Sequence, residues 1–443
     1  MVTVFGKENN YMNKISADRW VLLVIACISF WVSSNVNWGE NRPQHIVKAD
    51  GKGYYAYLPA VFIYQDLNFG FFDSLEGGKY YQDPLYYEYR KLNNGKYYNK
   101  YYVGTSVLMS PFFLAAHSIA LLSDIPPDGY ANIYPILINI GGIFYLIIGL
   151  FFCGKLLRRF GIDDKLIAFI YLVFYVGTNW FYWVNFEPGA SHIYSAAVIP
   201  MFYFYFLRFT DTRNRKLLYL SALLFGLVLL IRPANVLILL GLPFFYSTFS
   251  SFKDRIVELF SSYKKWLIFG LIVSAIFSVQ LVVYTIQVGT PFLDSYRGEY
   301  FDFSNPQIFN YLFSYKKGLF LYTPILLFSI GGLVVLFKKN KYTFLSWIAF
   351  LAILIYVQSS WHCWWYGGGF GTRVMLEYFI FWMVPFGVFL QKLKCNFRIF
   401  TTVIICILVL YCQFEIYQYR YNMIYWDGIS GEEYWDIFLK LPS

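Results

Sequence analysis

An aspartate early in the chain has the surroundings expected of a general base. Asp50 lies in the stretch ADGKGYYAYLP, a short distance after the first apolar run. A well-positioned carboxylate can accept the proton of an attacking hydroxyl, which accelerates a reaction by roughly 10²–10⁴-fold. The flanking Gly51 and Gly53 allow a sharp turn and close approach of a ligand to the backbone. The simpler interpretation is a solvated loop acid that caps the following helix.

Two further ionisable groups lie at the ends of apolar runs. Glu187 is in the turn NFEPGASHIY with His192 about one helical turn further on, and Arg232 is in LLIRPANV with no acid close in sequence. Burying such a group unpaired is costly, so an ionisable residue beside a membrane span is a functional candidate. The alternatives are an exposed loop acid and an arginine that snorkels to the interface.

The late stretch SSWHCWWYGGGFGTRVML is the richest in candidate groups. Arg373 ends its glycine run, and a guanidinium can donate two hydrogen bonds to one phosphate. Cations at the outer end of a span attract anionic head groups, although an interfacial anchor would look similar. We therefore predict four phosphate-binding residues: Arg373, Arg232, Lys316 and Lys317. The predicted substrate-lining residues are Lys52, Tyr54, Tyr55, His192, His362, Trp364 and Trp365.

The composition is that of a membrane protein. Of 443 residues, 58% are hydrophobic and 14% are charged, whereas a soluble domain carries about 25% charged residues. The aromatic fraction of 23% fits an interfacial belt, or rings that stack on a sugar or lipid. The net charge of +10 is concentrated in short loops, where it reports orientation and not nucleic-acid binding. The sequence predicts an all-α, polytopic membrane protein.

Apolar runs of spanning length recur along the chain. We predict spans near 20–36, 132–154, 166–184, 192–208, 217–232, 234–250, 265–288, 319–337, 343–358, 373–390 and 397–414. The basic loops alternate with less basic ones, which places the N-terminus in the cytoplasm. Residues 103–122 break this parity, so we expect them to dip in and return, or to lie partly buried. A twelfth span would be the alternative.

The loops on the other side are expected to build the site. We divide the chain into a cytoplasmic N-terminus (1–19), a membrane domain (20–414) with external loops 35–102 and 289–318, and an external tail (415–443). Loop 35–102 contains 13 tyrosines. Its pattern predicts an amphipathic helix in the interface plane, with Pro59 tolerated in the first turn if the helix starts after Lys52.

The order of these features resembles the C-type glycosyltransferase superfamily, which includes protein O-mannosyltransferases and the aminoarabinose transferases of lipid A. The resemblance covers most of residues 20–390 and rests on ADGKGYYAYLP, KYYVGTSVLMSPFFLAAH, GLVLLIRPANVLI, KKGLFLYTPILLFSIGG and WWYGGGFGTRVMLEY. It implies an external active site in a bacterial plasma membrane. There a sugar would move, with inversion, from a polyprenyl-phosphate donor to a glycan, lipid or protein acceptor.

In that resemblance Asp50 would be the catalytic base. Arg373, with Arg232 or the lysines, would neutralise the leaving phosphate. Many members have a second acid directly after the first, but here Gly51 follows. Glu187 is therefore the candidate second acid, and a need for a divalent metal stays open. The alternatives are a transporter or flippase of lipid-linked glycans, and a surface-polysaccharide polymerase or ligase in which Asp50 would be dispensable.

Overall fold

The computed structural model describes residues 16–39, 43–81, 87–260 and 262–441. Most of the predicted N-terminal segment therefore lies outside the described residues. The α-helices are α1 (Ala17–Asn37), α2 (Asp50–Phe62), α3 (Gly104–Leu121), α4 (Ile133–Arg159), α5 (Asp164–Val176), α6 (Trp180–Phe186), α7 (Ser191–Thr212), α8 (Arg215–Ile231), α9 (Phe249–Phe260), α10 (Tyr263–Val288), α11 (Ile308–Phe313), α12 (Leu319–Tyr322), α13 (Leu327–Lys339), α14 (Lys341–Ser359), α15 (Ile380–Lys392), α16 (Cys395–Arg420) and α17 (Gly431–Ile437). One antiparallel hairpin joins β1 (Arg90–Asn93) to β2 (Lys96–Asn99).

Long apolar helices dominate the described part of the chain. Seven of them are long and apolar enough to cross a membrane: α1, α3, α4, α7, α10, α14 and α16. An eighth is added if α5 and α6, which meet at a bend of 63°, are one broken span. These helices are those of a multi-pass membrane protein, in agreement with the sequence.

Several predicted spans differ in detail from the helices observed. Residues 104–121 form one continuous helix, so the segment does not dip in and return. The predicted span 319–337 is broken at Pro324. Thr323 before it has φ −143° and ψ 60° and so lies outside the α-helical region, which a following proline disfavours. Residues Pro233–Phe245 wind as a 3₁₀-helix, which rises about 2.0 Å per residue and so reaches further than an α-helix of equal length.

The predicted interfacial helix is wrong, because α2 is buried on nearly all sides. Every residue from Gly51 to Ala60 is buried, so the helix has no polar face in water. It begins at Asp50, which places Pro59 well beyond the first turn. Two tyrosine hydroxyls of α2 donate to backbone carbonyls of other segments: Tyr55 to Gly129, and Tyr57 to Tyr101 at 2.8 Å.

The C-terminal segment packs back on the membrane helices. The last predicted span ended at 414, but α16 continues to Arg420. The chain then turns back, and the short α17 packs beside α16, where the hydroxyl of Tyr434 donates to Glu415 at 2.9 Å. The predicted tail is thus anchored to the last long helix by a buried polar contact.

Three elements converge at one end of the bundle and position the candidate site. The N-terminus of α2 touches the loop before α7, since a Cβ on Gly51 would lie 3.3 Å from the backbone of Gly189. A short 3₁₀-helix, Arg373–Tyr378, packs against α7. The end of α8 brings Arg232 to the same place. The site therefore draws on the first, middle and last thirds of the chain.

Candidate active site

Asp50 and Arg373 form an ion pair. Arg373 Nη2 lies 2.8 Å from Asp50 Oδ2, and the two side chains are only 14% and 24% exposed. Ala49, directly before Asp50, has φ 45° and ψ −129°, a conformation that L-residues avoid because Cβ meets the backbone. Such strain is often found at functional sites. The predicted base and a predicted phosphate-binding residue are thus in direct contact.

Two tyrosines complete the surroundings of the Asp50 carboxylate. Tyr101 donates to Oδ1 at 2.6 Å and Tyr87 donates to the same oxygen at 3.3 Å. The two hydroxyls are 2.6 Å from each other. Burial alone would raise the pKa of Asp50, but Arg373 and the Tyr101 hydrogen bond outweigh it, and the pKa lies below its ordinary value. Asp50 is therefore ionised but weakly basic while Arg373 holds it.

The glycine-rich loop seats Arg373 over an indole ring. The guanidinium carbon lies 5.7 Å from the centre of the Trp183 ring, and the Trp183 indole donates to the carbonyl of Phe370 at 3.1 Å. Gly369 has φ +119°, and a Cβ there would lie 2.3 Å from the same indole, so only glycine fits. Arg373 Nε is buried without a hydrogen-bond acceptor among the described residues.

A second buried ion pair lies beside the first. Arg232 Nη1 lies 2.8 Å from Glu377 Oε1, and the Glu377 side chain is fully buried. His192 Nδ1 lies 2.6 Å from the same oxygen, and Asn235 donates to the other at 2.5 Å. Tyr378 in turn donates to Asn235 at 2.8 Å. Three side chains therefore hold the carboxylate of Glu377.

Tyr54 is buried beside the Asp50 carboxylate. Its pKa is raised to about 12, by burial first and by the charge of Asp50 second, while Arg232 and Arg373 both oppose the rise. Its ring also packs on that of Tyr101, with centroids 4.7 Å apart. The prediction that Tyr54 and His192 lie at the site agrees with this placement, and their contact with a substrate stays a prediction.

Glu187 lies in the loop that packs against the Asp50 segment, but its side chain is engaged elsewhere. Its carboxylate is 3.2 Å from Lys48 Nζ and accepts a hydrogen bond from Tyr182 at 2.5 Å. The close packing of Gly51 on Gly189 makes the two loops neighbours. A catalytic role for Glu187 therefore stays a prediction.

The late lysines hold the glycine-rich loop in place. Lys317 is buried and donates to the carbonyls of Gly367 and Trp426; burial lowers its pKa to about 7. Lys316 Nζ lies 3.3 Å from the centre of the Trp365 ring and 3.8 Å from an Asp427 oxygen. These contacts give both lysines structural partners, and binding of phosphate by either one stays a prediction.

The remaining predicted lining residues face other parts of the fold. His362 stacks on Tyr300 in the loop 289–318, and Trp364 packs edge-on against Trp365. Lys52 and Tyr55 lie on the sides of α2 away from Asp50. Lys52 is buried over the ring of Tyr81 at 3.6 Å, and Tyr55 donates to the carbonyl of Gly129. The structure does not bring these side chains to the Asp50–Arg373 pair.

Sequence reasoning missed Glu377, Tyr101 and Tyr87. Glu377 carried a usable signal, since it is an acid inside the apolar run that we assigned to a span, where ionisable residues are expected to be functional. Tyr87 and Tyr101 carried no such signal, because they are two of the 13 tyrosines in loop 35–102.

The donor set does not fit a metal held by protein ligands alone. Asp50 faces an arginine and Glu187 a lysine. Across the ranges that the structure describes, no three His, Cys, Asp or Glu side chains are grouped so as to hold an ion.

No protein-family model and no curated protein sequence matches the chain.

Proposed function

We propose that the protein is a membrane glycosyltransferase of the C-type architecture. It transfers a sugar from a polyprenyl-phosphate donor to a glycan, lipid or protein acceptor outside the cytoplasm. The observation that carries the proposal is the contact of Asp50 with Arg373 at 2.8 Å. The two residues that were expected to serve as base and phosphate ligand come from opposite ends of the sequence and meet in one site.

The proposed reaction uses the two residues in succession. The acceptor hydroxyl attacks the anomeric carbon of the donor sugar. The bond between that carbon and the phosphate oxygen breaks, and the polyprenyl phosphate leaves with the bonding electrons. Arg373 stabilises the negative charge that builds on the phosphate. Asp50 takes the proton of the acceptor hydroxyl. Charge is balanced, because one more negative charge on the phosphate is matched by protonation of the carboxylate.

The ion pair must open for this reaction to proceed. While Arg373 holds Asp50, the carboxylate has a low pKa and is a poor base. A donor phosphate that binds Arg373 replaces Asp50 as the anion there. The carboxylate then keeps its hydrogen bonds from Tyr101 and Tyr87 but loses its counter-ion, and its basicity rises. Donor binding thus prepares the base for the acceptor.

The proposal extends to the membrane topology. It includes a total of 11 or 12 spans in a bacterial plasma membrane, with the N-terminus in the cytoplasm and Asp50 on the other side. The spans beyond the seven long helices would come from the bent pair α5–α6, from α8, from the broken run α12–α13, and from the short apolar segments Pro233–Phe245 and Ile380–Lys392. Cysteine accessibility at a residue exposed beside Asp50, measured in intact cells, tests the orientation.

Sugar transfer by the purified protein is the direct test. A panel of radiolabelled polyprenyl-phosphate sugars is offered in nanodiscs with broad acceptor extracts, using wild type, Asp50→Asn and Glu187→Gln. Transfer by wild type, with loss in Asp50→Asn, supports the proposal, and the activity of Glu187→Gln decides whether Glu187 acts as a second acid. Equal activity in Asp50→Asn removes Asp50 from the mechanism. Binding of the donor without sugar transfer by wild type or either variant favours the alternative of a transporter of lipid-linked glycans.

A further inference from the structure

The C-terminal segment, residues 421–441, contacts the glycine-rich loop, residues 363–372, that leads to Arg373. Four of the five residues at 367–371 in this loop are glycines. A glycine loses more conformational entropy than any other residue when its backbone is fixed. The loop therefore depends on contacts from other segments to hold one conformation, and the position of Arg373 depends on the loop that it follows.

Lys317 joins the loop to the C-terminal segment. Its ammonium group is buried and donates to the carbonyl of Gly367 in the loop, and to that of Trp426 in the C-terminal segment at 2.9 Å. The hydroxyl of Thr372 donates to the backbone carbonyl of Lys317 at 2.5 Å. Lys317 thus holds the loop at two points, and one of them is the residue directly before Arg373.

Asp427 makes a second connection between the same two segments. One oxygen of its carboxylate accepts a hydrogen bond from the indole of Trp365 at 2.8 Å, and the other lies 3.8 Å from Lys316 Nζ. That ammonium group in turn lies 3.3 Å from the centre of the Trp365 ring. The three side chains contact one another, so they tie the first half of the loop to the C-terminal segment.

The two segments also pack closely beside these polar contacts. Gly428 has φ +128°, and a Cβ there would lie 2.3 Å from the side chain of Lys316. A Cβ on Gly368 would lie 3.2 Å from the ring of Trp426. Because neither position has room for a side chain unless a neighbour moves, the loop and the C-terminal segment fit each other in one arrangement.

We propose that the C-terminal segment positions Arg373 for the donor phosphate, with Asp427 as a positioning residue that acts through Trp365 and Lys316. The proposal rests on the function proposed above, in which Arg373 is the phosphate ligand. A guanidinium that is already held in place loses less conformational freedom when it binds an anion. If the connection is broken, the loop must be ordered as the donor binds, and the affinity for the phosphate falls.

The test measures binding of radiolabelled polyprenyl phosphate to the full chain in nanodiscs. Asp427→Ala should bind it about three- to tenfold more weakly, the loss expected when one more long side chain must be ordered. Removal of a negative charge would by itself strengthen the binding of an anion, so the expected change has the opposite sign to the direct electrostatic effect. Asp427→Asn should restore most of the affinity, because its amide oxygen can accept from Trp365.

Asp436→Ala is the matched control. It removes one negative charge from the same segment, but the Asp436 carboxylate pairs with Lys440 of that segment, 3.0 Å away. The control should bind polyprenyl phosphate as wild type does. Equal weakening in Asp436→Ala and Asp427→Ala would overturn the proposal. A lower melting temperature in Asp427→Ala with unchanged affinity would overturn it too, because Asp427 would then stabilise the fold without positioning Arg373.

The variant Arg373→Gln decides whether Asp427 acts through Arg373. Asp427→Ala should leave the residual binding of Arg373→Gln unchanged, and an equal loss in both backgrounds would overturn the proposal. Amide hydrogen exchange of residues 363–373 gives a readout without donor. It should be faster in Asp427→Ala than in Asp436→Ala, and equal rates would overturn the proposal. A wild type that binds no polyprenyl phosphate would count against the proposed donor, and the exchange rates would then decide the connection to the loop.

Discussion

Replacing Asp50 by Asn should tighten phosphate binding while it abolishes transfer. The charged atoms of Asp50 and Arg373 are 2.8 Å apart and mostly buried. Two unit charges with centres about 4 Å apart attract by roughly 4 kcal/mol at an effective dielectric constant of 20. Solvation of the freed carboxylate offsets most of that attraction. We therefore expect the Asn variant to bind polyprenyl phosphate about tenfold more tightly, a gain of ~1.4 kcal/mol.

The assay reads binding of radiolabelled polyprenyl phosphate to purified protein, with no sugar or acceptor present. Glu187→Gln is the matched control, because it removes one negative charge from the adjoining loop but frees Lys48 instead of Arg373. Unchanged or weaker binding by Asp50→Asn would refute the exchange of anions at Arg373. Equal tightening in both variants would assign the effect to net charge. Absence of binding to wild type would instead count against the proposed donor.

Three further predictions concern neighbouring groups. Tyr101→Phe removes a hydrogen bond that lowers the pKa of Asp50, so that pKa should rise. Because the ionised carboxylate is the active form and is lost as pH falls through its pKa, the acidic limb of the pH–rate profile should move to higher pH. An acidic limb at the wild-type pH would contradict this. Glu377→Gln leaves the Arg232 guanidinium, whose side chain is 23% exposed, without its carboxylate, so the free energy of unfolding should fall by about 1–3 kcal/mol, and an unchanged melting temperature would disprove it. Gly369→Ala should lower the melting temperature more than Gly367→Ala, because a Cβ at Gly367 meets nothing within 4 Å and only its φ of +65° opposes the change; equal losses would remove the steric argument.

The long helices could be predicted from the sequence because a membrane span satisfies its backbone hydrogen bonds internally. The span predicted at 20–36 is α1, Ala17–Asn37, and that at 265–288 is α10, Tyr263–Val288. The prediction failed where an apolar run contains a break. Hydropathy does not distinguish α-helix from 3₁₀-helix, as at Pro233–Phe245, nor does it separate a buried helix such as α2 from one at the interface.

The candidate site could be predicted by residue type but not by pairing. Asp50 and Arg373 each stood out through their glycine-rich surroundings, whereas their contact depends on how α2, the loop before α7 and the late 3₁₀-helix pack. The counter-ion of Arg232 could not be found by searching nearby sequence, because Glu377 is 145 residues away. Tyr101 reaches Asp50 because Asn99, at the end of β2, donates to the carbonyl of Gly53 in α2 at 2.6 Å, and nothing in the local sequence indicates that contact.

The two ion pairs differ in whether a ligand can open them. Glu377 is fully buried and is held by Arg232, His192 and Asn235, so removing its arginine would leave a buried carboxylate without a counter-ion, at a cost of about 3–5 kcal/mol. Asp50 is partly exposed and keeps two tyrosine donors when its arginine is taken. An entering phosphate therefore gains Arg373 at much lower cost. We expect Arg373 to release Asp50 and bind the donor phosphate. Arg232 should stay paired with Glu377 and act on the site only through its electrostatic field.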